Sequence, residues 1–184
     1  MTNRLFVSLD LPECIQEEVI KNRDKIYGDD SKIRWETKEK LHLTLKFLED
    51  VEESRTKEIE DELKSISIKH SIIELSFSRF GIFYKERKPR ILWIGLNDSL
   101  KLNQLQDEVE RSMENLGFER EKRKFKSHIT LLRIKGYEDL DRINKFGEYK
   151  LPEINFAATD ISLMKSTLTH SGSIYTRLKS FKLI

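Results

Sequence analysis

The sequence predicts an α+β fold with two similar halves. Short segments of alternating apolar and polar residues, typical of strands, take turns with longer segments in which apolar residues recur every three or four positions, as in helices. The order strand, helix, strand, helix, strand occurs twice, at an offset close to 86 residues. A chain of 184 residues is long enough for one domain with a substantial core.

In the first half, the predicted strand Leu5–Leu9 is followed by a helix that begins after Pro12 and ends at Gly28. We expect the Asp10 carboxylate to cap this helix, because an acceptor just before a helix satisfies its free backbone N–H groups. The same half contains a predicted strand over residues 41–47, a helix over about 53–68, and an extended segment over 72–83 that breaks near Gly81.

The second half repeats this order. A predicted strand over residues 91–96 is followed by a helix that is capped by Asn97 or Asp98 and ended by Gly117, since Gly readily adopts the backbone conformation that terminates helices. The remaining predicted elements are a strand over 127–132, a short helix that ends at Gly147, and extended segments over 154–165 and 173–181.

The spacing of these elements predicts a duplicated architecture. The first strands and the first helices start 86 residues apart, His42 and His128 have the same separation, and the later strands are 84 residues apart. We therefore predict a single two-lobed domain over residues 1–184, with pseudo-two-fold symmetry and interleaved halves of about 1–86 and 87–184. A functional cleft is expected where the halves meet, because pockets commonly form at such boundaries.

The composition excludes several classes of protein. Lys and Arg number 34 against 32 Asp and Glu, so the net charge of +2 indicates no general attraction to nucleic acid. Cys14, the one cysteine, allows no internal disulfide and no four-thiolate zinc site, and it is expected to be inert. No apolar run approaches the roughly 18 residues of a membrane span, and no signal-peptide pattern is present. We therefore expect a cytoplasmic protein that does not bind membranes.

One residue pattern, His-apolar-Thr-Leu, occurs in both halves, at residues 42–45 and 128–131. Because residues i and i+2 of a strand point the same way, each histidine shares a strand face with the threonine two positions later, and the aliphatic residues share the opposite face. Two-fold symmetry would bring the two histidine faces to one cleft.

This pair of motifs suits the hydrolysis of a phosphodiester. The reaction needs a base for water and an acid for the leaving oxygen, and two imidazoles with an ordinary pKa near 6.5 can supply both near neutral pH. Thr44 and Thr130 are placed to donate hydrogen bonds to the phosphate oxygens, so the chemistry requires no metal or other cofactor. A single histidine on a strand is usually structural, and His70 and His170, which lie outside the motifs, are expected to be exposed and without a role.

Together these motifs resemble the RNA 2′,3′-cyclic phosphodiesterases, also called the 2′-5′ RNA ligase or LigT-like family, within the two-histidine phosphoesterases. The resemblance spans nearly the whole chain and is carried by residues 4–7, 34–35, 41–48, 81–83, 89–95, 125–133, 163–168 and 172–175. Two positions depart from the family pattern: Ser127 stands where the family usually has Pro, and Glu49 stands where it usually has Gly.

The resemblance implies a bilobal α+β fold in which two antiparallel sheets face a central cleft and the helices lie outside. It also implies a monomeric, metal-independent enzyme that opens 2′,3′-cyclic phosphates at RNA ends, for example those of tRNA fragments, to 2′-phosphates, and that can join RNA ends through 2′-5′ linkages in reverse. By the same analogy, His42 is the proton donor, His128 is the proton acceptor, and Thr44 and Thr130 bind the substrate.

The position of Arg133 leaves two interpretations open. Strict alternation places it on the face opposite His128, where it would form an outward ion pair, whereas the family resemblance suggests a contact with phosphate. The two interpretations agree only if the strand ends or bulges near Leu132.

The basic run at residues 120–126 and a second basic cluster at 85–90 are candidate contacts for the RNA backbone, although most charged runs are merely solvated.

Four aromatic residues could stack a base, namely Trp35, Phe47, Trp93 and Tyr175, of which Phe47 and Trp93 are expected in the core.

Three rival functions remain. The substrate could be a small nucleotide such as ADP-ribose cyclic phosphate, although the basic run before the second motif favours RNA. The protein could bind RNA with a vestigial site, although both motifs are intact. It could be a dinuclear metal hydrolase, although histidines are few and no His/Asp cluster adjoins either motif.

Overall fold

The computed structural model describes residues 1–170 and 172–184 and confirms the α+β class. The strands are β1 (Thr2–Leu9), β2 (Leu43–Glu52), β3 (Ile73–Lys85), β4 (Lys88–Leu96), β5 (His128–Arg133), β6 (Asn155–Ala158), β7 (Asp160–Thr169) and β8 (Gly172–Lys182). The helices are α1 (Glu13–Tyr27), α2 (Thr56–Ser67), α3 (Leu100–Asn115) and α4 (Leu140–Glu148), with short 3-10 turns at Lys38–Lys40 and Glu53–Arg55.

The strands form two four-stranded antiparallel sheets, and each sheet combines strands from both halves of the sequence. The order in the first sheet is β2-β1-β7-β8, and the order in the second sheet is β5-β4-β3-β6. Strands β7 and β8 thus complete the sheet begun by β1 and β2, while β3 pairs with β4. The sheets approach each other along their edge strands β2 and β5, which are the strands of the repeated motifs. Each motif is thereby brought close to the other.

The helices pack on the sheets and share one core with them. Helices α2 and α3 pack against strands of the first sheet, α4 packs against β3 of the second sheet, and α1 packs on α4. Buried aliphatic residues from all four helices and both sheets form one continuous cluster. Within residues 1–170 and 172–184, no helix has the length and apolar character that a membrane crossing requires.

The start of α1 differs from the prediction. Asp10 does not cap this helix: Pro12 occupies the N-cap position, and no side chain caps the helix there. The Asp10 carboxylate instead accepts a hydrogen bond from Ser162 Oγ on β7 at 2.7 Å and lies 3.0 Å from the Arg177 guanidinium on β8. These partners lie more than 150 residues away in the sequence and satisfy the carboxylate in place of the helix N–H groups.

Two further predicted boundaries differ from those in the structure, and two predicted helix ends agree with it. Ser99, and neither Asn97 nor Asp98, caps α3 by accepting a hydrogen bond from a backbone N–H of its first turn. The predicted extended segment 154–165 is split between β6 and β7, which belong to different sheets. The predicted helix ends at Gly28 and Gly117 are confirmed, since both glycines have positive φ angles, of 79° and 88°.

Strand β3 continues through Gly81 and does not break there as predicted. Gly81 lies directly opposite Trp93 on β4, and a Cβ atom at this glycine would lie 2.2 Å from the indole ring. A Cβ on Gly95 would also crowd the ring, at 2.9 Å. The two glycines therefore let the indole lie flat against the sheet.

Both repeated motifs contain a β-bulge at their fourth residue. Leu45 is an extra residue between Thr44 and Lys46 in the pairing of β2 with β1, and Leu131 is an extra residue at the same point in the pairing of β5 with β4. One extra residue reverses the alternation of side chains along a strand. The residue after each bulge is therefore buried, and the residue after that, Phe47 or Arg133, is exposed.

The first bulge explains a wrong prediction and a buried charge. Phe47 was expected in the core but is 58% exposed, because the bulge at Leu45 turns it away from the helices. Lys46 takes the inward position and is buried. Its Nζ donates to the Glu110 carboxylate of α3 at 2.7 Å and to the carbonyl of Glu119 at 2.9 Å, which compensates the ammonium group for lost water.

Glu49, at the position where the family usually has Gly, adopts a left-handed backbone conformation with φ of 57°. A second irregularity of β2, at Leu48, precedes it. The Glu49 carboxylate lies 2.6 Å from the Arg4 guanidinium, in an exposed ion pair that contributes little to stability. A residue with a Cβ atom carries a steric cost in this conformation that Gly avoids.

We therefore expect Glu49→Gly to raise the free energy of unfolding by about 1 kcal/mol, because the left-handed conformation costs about that much for other residues. Urea unfolding followed by circular dichroism measures the change. Glu49→Ala is the matched control: it removes the ion pair with Arg4 but keeps the Cβ atom. Equal stabilities of the Gly and Ala variants would contradict the explanation.

Candidate active site

His42 lies immediately before β2, where its imidazole is half-buried between two aromatic rings. It stacks on Phe6 of β1, with ring centroids 5.1 Å apart, and meets the edge of Tyr175 of β8 at 5.5 Å. Because Leu9 pairs with Leu43, the histidine extends the ladder at the end of β1. The imidazole thus lies on the face of the first sheet opposite the helices.

The surroundings of His42 favour its neutral form. Burial is the largest effect, and together with the positive charges of Arg133 and Arg177 it lowers the pKa of His42 from 6.5 to about 4. Its Nδ1 atom is buried and has no hydrogen-bond partner in the part of the chain that the structure describes. In the ligand-free protein this imidazole is therefore uncharged at neutral pH.

His128, the first residue of β5, is also half-buried against two rings. Phe83 of β3 and Trp93 of β4 present their rings edge-on, with centroids at 4.9 and 6.3 Å from the imidazole. Burial is the largest effect on the pKa of His128 and lowers it, as do the charges of Lys126 and Arg133. Nδ1 donates to the Lys126 carbonyl at 2.7 Å, which leaves Nε2 without a proton in the neutral form.

Each of the two histidines contacts a buried aromatic residue of the neighbouring strand. Phe6 and Trp93 occupy the corresponding central strands β1 and β4, and both are buried outside the main hydrophobic cluster. The expectation that Trp93 is buried is confirmed, although it lies beneath His128 and not among the core aliphatic residues. Phe6 stacks on His42, whereas Trp93 meets His128 edge-on, and both contacts restrict the orientation of the imidazole.

Thr44 and Thr130 lie two residues beyond the histidines and precede the bulges, so each shares the face of its histidine. Both side chains are half-buried. Neither hydroxyl has a hydrogen-bond partner within residues 1–170 and 172–184, which leaves both available to a ligand.

Arg133 combines features of both interpretations. Its Nε donates to Glu36 at 3.2 Å, and its side chain is 51% exposed. Because of the bulge at Leu131 it does not point away from the histidines, and its charge lowers the pKa of both His42 and His128. The charge of Arg133 therefore acts on both imidazoles.

The basic run before the second motif is largely neutralised by the protein itself. Three of its cations pair with nearby carboxylates: Arg120 with Asp107, Lys122 with Glu119, and Arg123 with Glu121. Lys126 differs, because its ammonium group lies over the rings of Phe83 and Trp93, at 4.8 and 4.4 Å. The cluster at residues 85–90 is exposed at the β3–β4 turn.

The two histidines outside the motifs differ from each other. His170 is exposed, as expected. His70 was predicted to be exposed but is half-buried, because its Nε2 bonds to the Glu108 carboxylate of α3 at 2.7 Å. Within the described residues, no group of three or more His, Cys, Asp or Glu side chains is arranged to hold a metal ion.

Several residues of the site were not identified from the sequence. Glu36 holds Arg133, and Phe6 and Phe83 flank the imidazoles. The pairing of Asp10 with Arg177 was also missed. The segments that carry the family resemblance include Phe6 and Phe83, but no spacing rule connects Glu36 or Arg177 with the motifs.

The chain matches known proteins over nearly its whole length. The sequence profile of the family described as LigT like Phosphoesterase matches it twice, over residues 9–93 and 94–175. The RNA 2′,3′-cyclic phosphodiesterase of Methanocaldococcus jannaschii is 34% identical over 184 residues, which cover 97% of this chain and 99% of that protein. The enzyme of the same name from Methanothermobacter thermautotrophicus is 30% identical over 185 residues, and both chains are fully covered.

The fold is also similar to those of solved structures. The crystal structure of Escherichia coli LigT complexed with 3′-AMP has a TM-score of 0.77 and 26% identity, and covers 100% of this chain and 99% of that one. The TT0787 protein of Thermus thermophilus has a TM-score of 0.80 at 21% identity, covers 98% of this chain and 97% of that one, and shows the shared fold. The chain therefore belongs to the LigT-like phosphoesterase family.

Proposed function

We propose that the protein hydrolyses 2′,3′-cyclic phosphates at RNA 3′ ends to 2′-phosphates by acid–base catalysis with His42 and His128. The observation that carries this proposal is the repeated motif, which supplies one half-buried imidazole and one half-buried hydroxyl from the adjoining edge of each sheet. The names of the curated relatives, each an RNA 2′,3′-cyclic phosphodiesterase, support the choice of substrate.

In the proposed reaction, a water oxygen bonds to the cyclic phosphorus, and the bond from phosphorus to the 3′-oxygen breaks. Nε2 of His128 accepts the proton of the water, and His42 donates a proton to the leaving 3′-oxygen. The hydroxyls of Thr44 and Thr130 and the Arg133 guanidinium stabilise the negative charge on the phosphate oxygens. A 5′-hydroxyl in place of water would give a 2′-5′ linkage.

The hydrogen bonding of His128 supports its assignment as the base. Because Nδ1 donates to the Lys126 carbonyl, the lone pair of the neutral imidazole is on Nε2. Its lowered pKa keeps this nitrogen unprotonated at neutral pH. His42 has no comparable bond to fix its tautomer within the described part of the chain.

The assignment of His42 as the acid requires that it gains a proton when the substrate binds. Its pKa of about 4 makes it neutral at pH 7 in the empty site. A bound phosphate brings a negative charge next to the imidazole, which offsets the positive charge of Arg133 and so favours the protonated form. Substrate binding is therefore coupled to proton uptake.

Phe47 supports a nucleotide substrate. It is 58% exposed, and its ring contacts Phe6, on which His42 stacks, with centroids 6.0 Å apart. Exposed aromatic rings stack bases of single-stranded RNA without strong sequence preference. We further propose that the substrates are RNA fragments, such as those of tRNA. The enzyme is proposed to be a monomer and to act in the cytoplasm.

The first test replaces each histidine. We expect His42→Ala and His128→Ala each to lower the hydrolysis rate of a short RNA with a 2′,3′-cyclic phosphate by about 10²–10⁴-fold, and the double variant to be little worse, because the two act as a unit. Thr44→Ala or Thr130→Ala should cost about 10–10³-fold. Product analysis should identify a 2′-phosphate, and activity should persist with a chelator present.

A substrate with sulfur as the leaving atom separates the two roles. Sulfur needs little protonation when it leaves, so it should rescue His42→Ala and leave His128→Ala inactive. Rescue of the His128 variant alone would reverse the assignment. Two single variants near full activity would exclude the acid–base mechanism, and thermal unfolding of each variant shows whether it is folded.

The second test follows the charge of His42 by NMR titration, with His42→Asn used to assign its signal. We expect a midpoint near pH 4 in the free protein. Inorganic phosphate should raise the midpoint by about 1–3 units, because a nearby opposite charge has an effect of that size. The rate of hydrolysis should be bell-shaped in pH, with limbs that belong to the coupled pair.

Arg133→Gln is the matched variant for this titration. Removing the positive charge should raise the pKa of both His42 and His128 in the free protein, because Arg133 lowers both. It should also weaken phosphate binding. A phosphate-insensitive His42 midpoint in the wild-type protein would contradict its assignment as the acid.

A further inference from the structure

Arg177 of β8 is a cation beside the active site for which the proposed reaction has no use. It shares a strand face with Tyr175, two residues earlier, whose ring contacts the His42 imidazole. It also lies in the cross-strand row that runs through Met164 and Phe6 to Phe47. Residues directly opposite each other on neighbouring strands share a face, so Arg177 lies on the same face as the site.

Among residues 1–170 and 172–184, the Arg177 side chain pairs with the Asp10 carboxylate. Its Nη2 lies 3.0 Å from Oδ2 of Asp10, a carboxylate that is 16% exposed and also accepts a hydrogen bond from the buried Ser162 hydroxyl. Leu9 pairs with Leu43, so Asp10 and His42 lie next to each other at the end of the β1–β2 ladder. The Arg177 side chain is 56% exposed, and its guanidinium has more N–H donors than the Asp10 contact uses.

Arg177 belongs to the strand of the first sheet that is farthest from the second motif. Strands β2 and β5 lie where the two sheets meet, whereas β8 is the opposite edge strand of its sheet. The backbone of Arg177 lies two strand spacings of about 4.8 Å from β1, and its side chain reaches back to the Asp10 carboxylate at the end of β1. Arg133 affects the pKa of both histidines, but Arg177 affects that of His42 alone. The Arg177 guanidinium therefore approaches His42 from the β8 side of the first sheet, whereas β5 and His128 adjoin its β2 side.

We propose that Arg177, positioned by Asp10, binds the phosphodiester on the 5′ side of the terminal nucleotide, so that the enzyme prefers RNA chains over mononucleotides. This inference rests on the proposed function. An exposed, pre-positioned guanidinium with free donors suits the anionic oxygens of a phosphodiester. The exposed Phe47 and Arg177 then provide a ring for a base and a cation for the backbone on one sheet face.

The test compares two dinucleotides that end in a 2′,3′-cyclic phosphate, one with a natural phosphodiester and one with an uncharged methylphosphonate linkage. We expect the wild-type protein to favour the natural linkage about tenfold in kcat/KM, the lower range for a hydrogen bond to a charged group. Arg177→Gln should abolish this preference, and Arg177→Lys should keep part of it. Raising the salt concentration from about 50 to about 200 mM should weaken it.

Lys179→Gln is the matched control. Lys179 lies on the same strand, but an extra residue at Leu178 turns it to the helix side, where it pairs with Glu60 of α2 at 2.7 Å. This variant should retain the full preference for the natural linkage. Asp10→Asn, which keeps a hydrogen-bonding group for Ser162, should reduce the preference without matching the loss in Arg177→Gln, because Asp10 acts through the arginine.

The outcomes distinguish this inference from the proposed function. A wild-type protein that hydrolyses both dinucleotides equally well, or an Arg177→Gln variant that slows both by the same factor, overturns the role of Arg177 and leaves the proposed function standing. A wild-type protein that hydrolyses neither dinucleotide, nor a nucleoside 2′,3′-cyclic phosphate, overturns the proposed function itself. Thermal unfolding of each variant separates a loss of binding from a loss of fold.

Discussion

The geometry of the site depends on two β-bulges, one at the fourth residue of each repeated motif. A bulge reverses the alternation of the strand, so the segment after it presents the opposite side chains. Leu45 and Leu131 are the extra residues, and the residues two positions later, Phe47 and Arg133, leave the core side. The duplicated motif thus supplies a histidine and a threonine before the bulge and an aromatic ring or a cation after it.

The same bulges lie at contacts between segments that are distant in the sequence. The backbone N–H of Glu36, in the segment before the first motif, donates to the carbonyl of Leu131 at 2.9 Å, and the Glu36 carboxylate then holds Arg133. In the other half, the bulge turns Lys46 inward to the Glu110 carboxylate of α3. Breaking a buried ion pair such as Lys46–Glu110 by removing one partner typically costs about 3–5 kcal/mol, so this contact holds α3 against β2.

Much of the fold follows from sequence periodicity, whereas the details of the site depend on contacts that periodicity does not reveal. The strands and helices were predicted because each buries one regular face. Phe47 was wrongly assigned to the core because Leu45, the bulged residue, is apolar like its neighbours and leaves no trace in the pattern. The partners of Asp10 are distant in sequence, and His70 finds its partner Glu108 only through the packing of the chain onto α3.

In the proposed mechanism, the electrostatics of the site couple catalysis to occupancy. With the site empty, burial and two guanidinium groups keep His42 neutral, which avoids a buried positive charge next to other cations. A phosphate ligand makes the field at the imidazole less positive, because its negative charge offsets that of Arg133. His128 experiences less of this change at Nδ1, which remains bonded to the Lys126 carbonyl. The two similar motifs therefore acquire different roles from the groups around them. His42 takes up a proton when the substrate binds, whereas the Lys126 carbonyl orients His128 before the substrate binds.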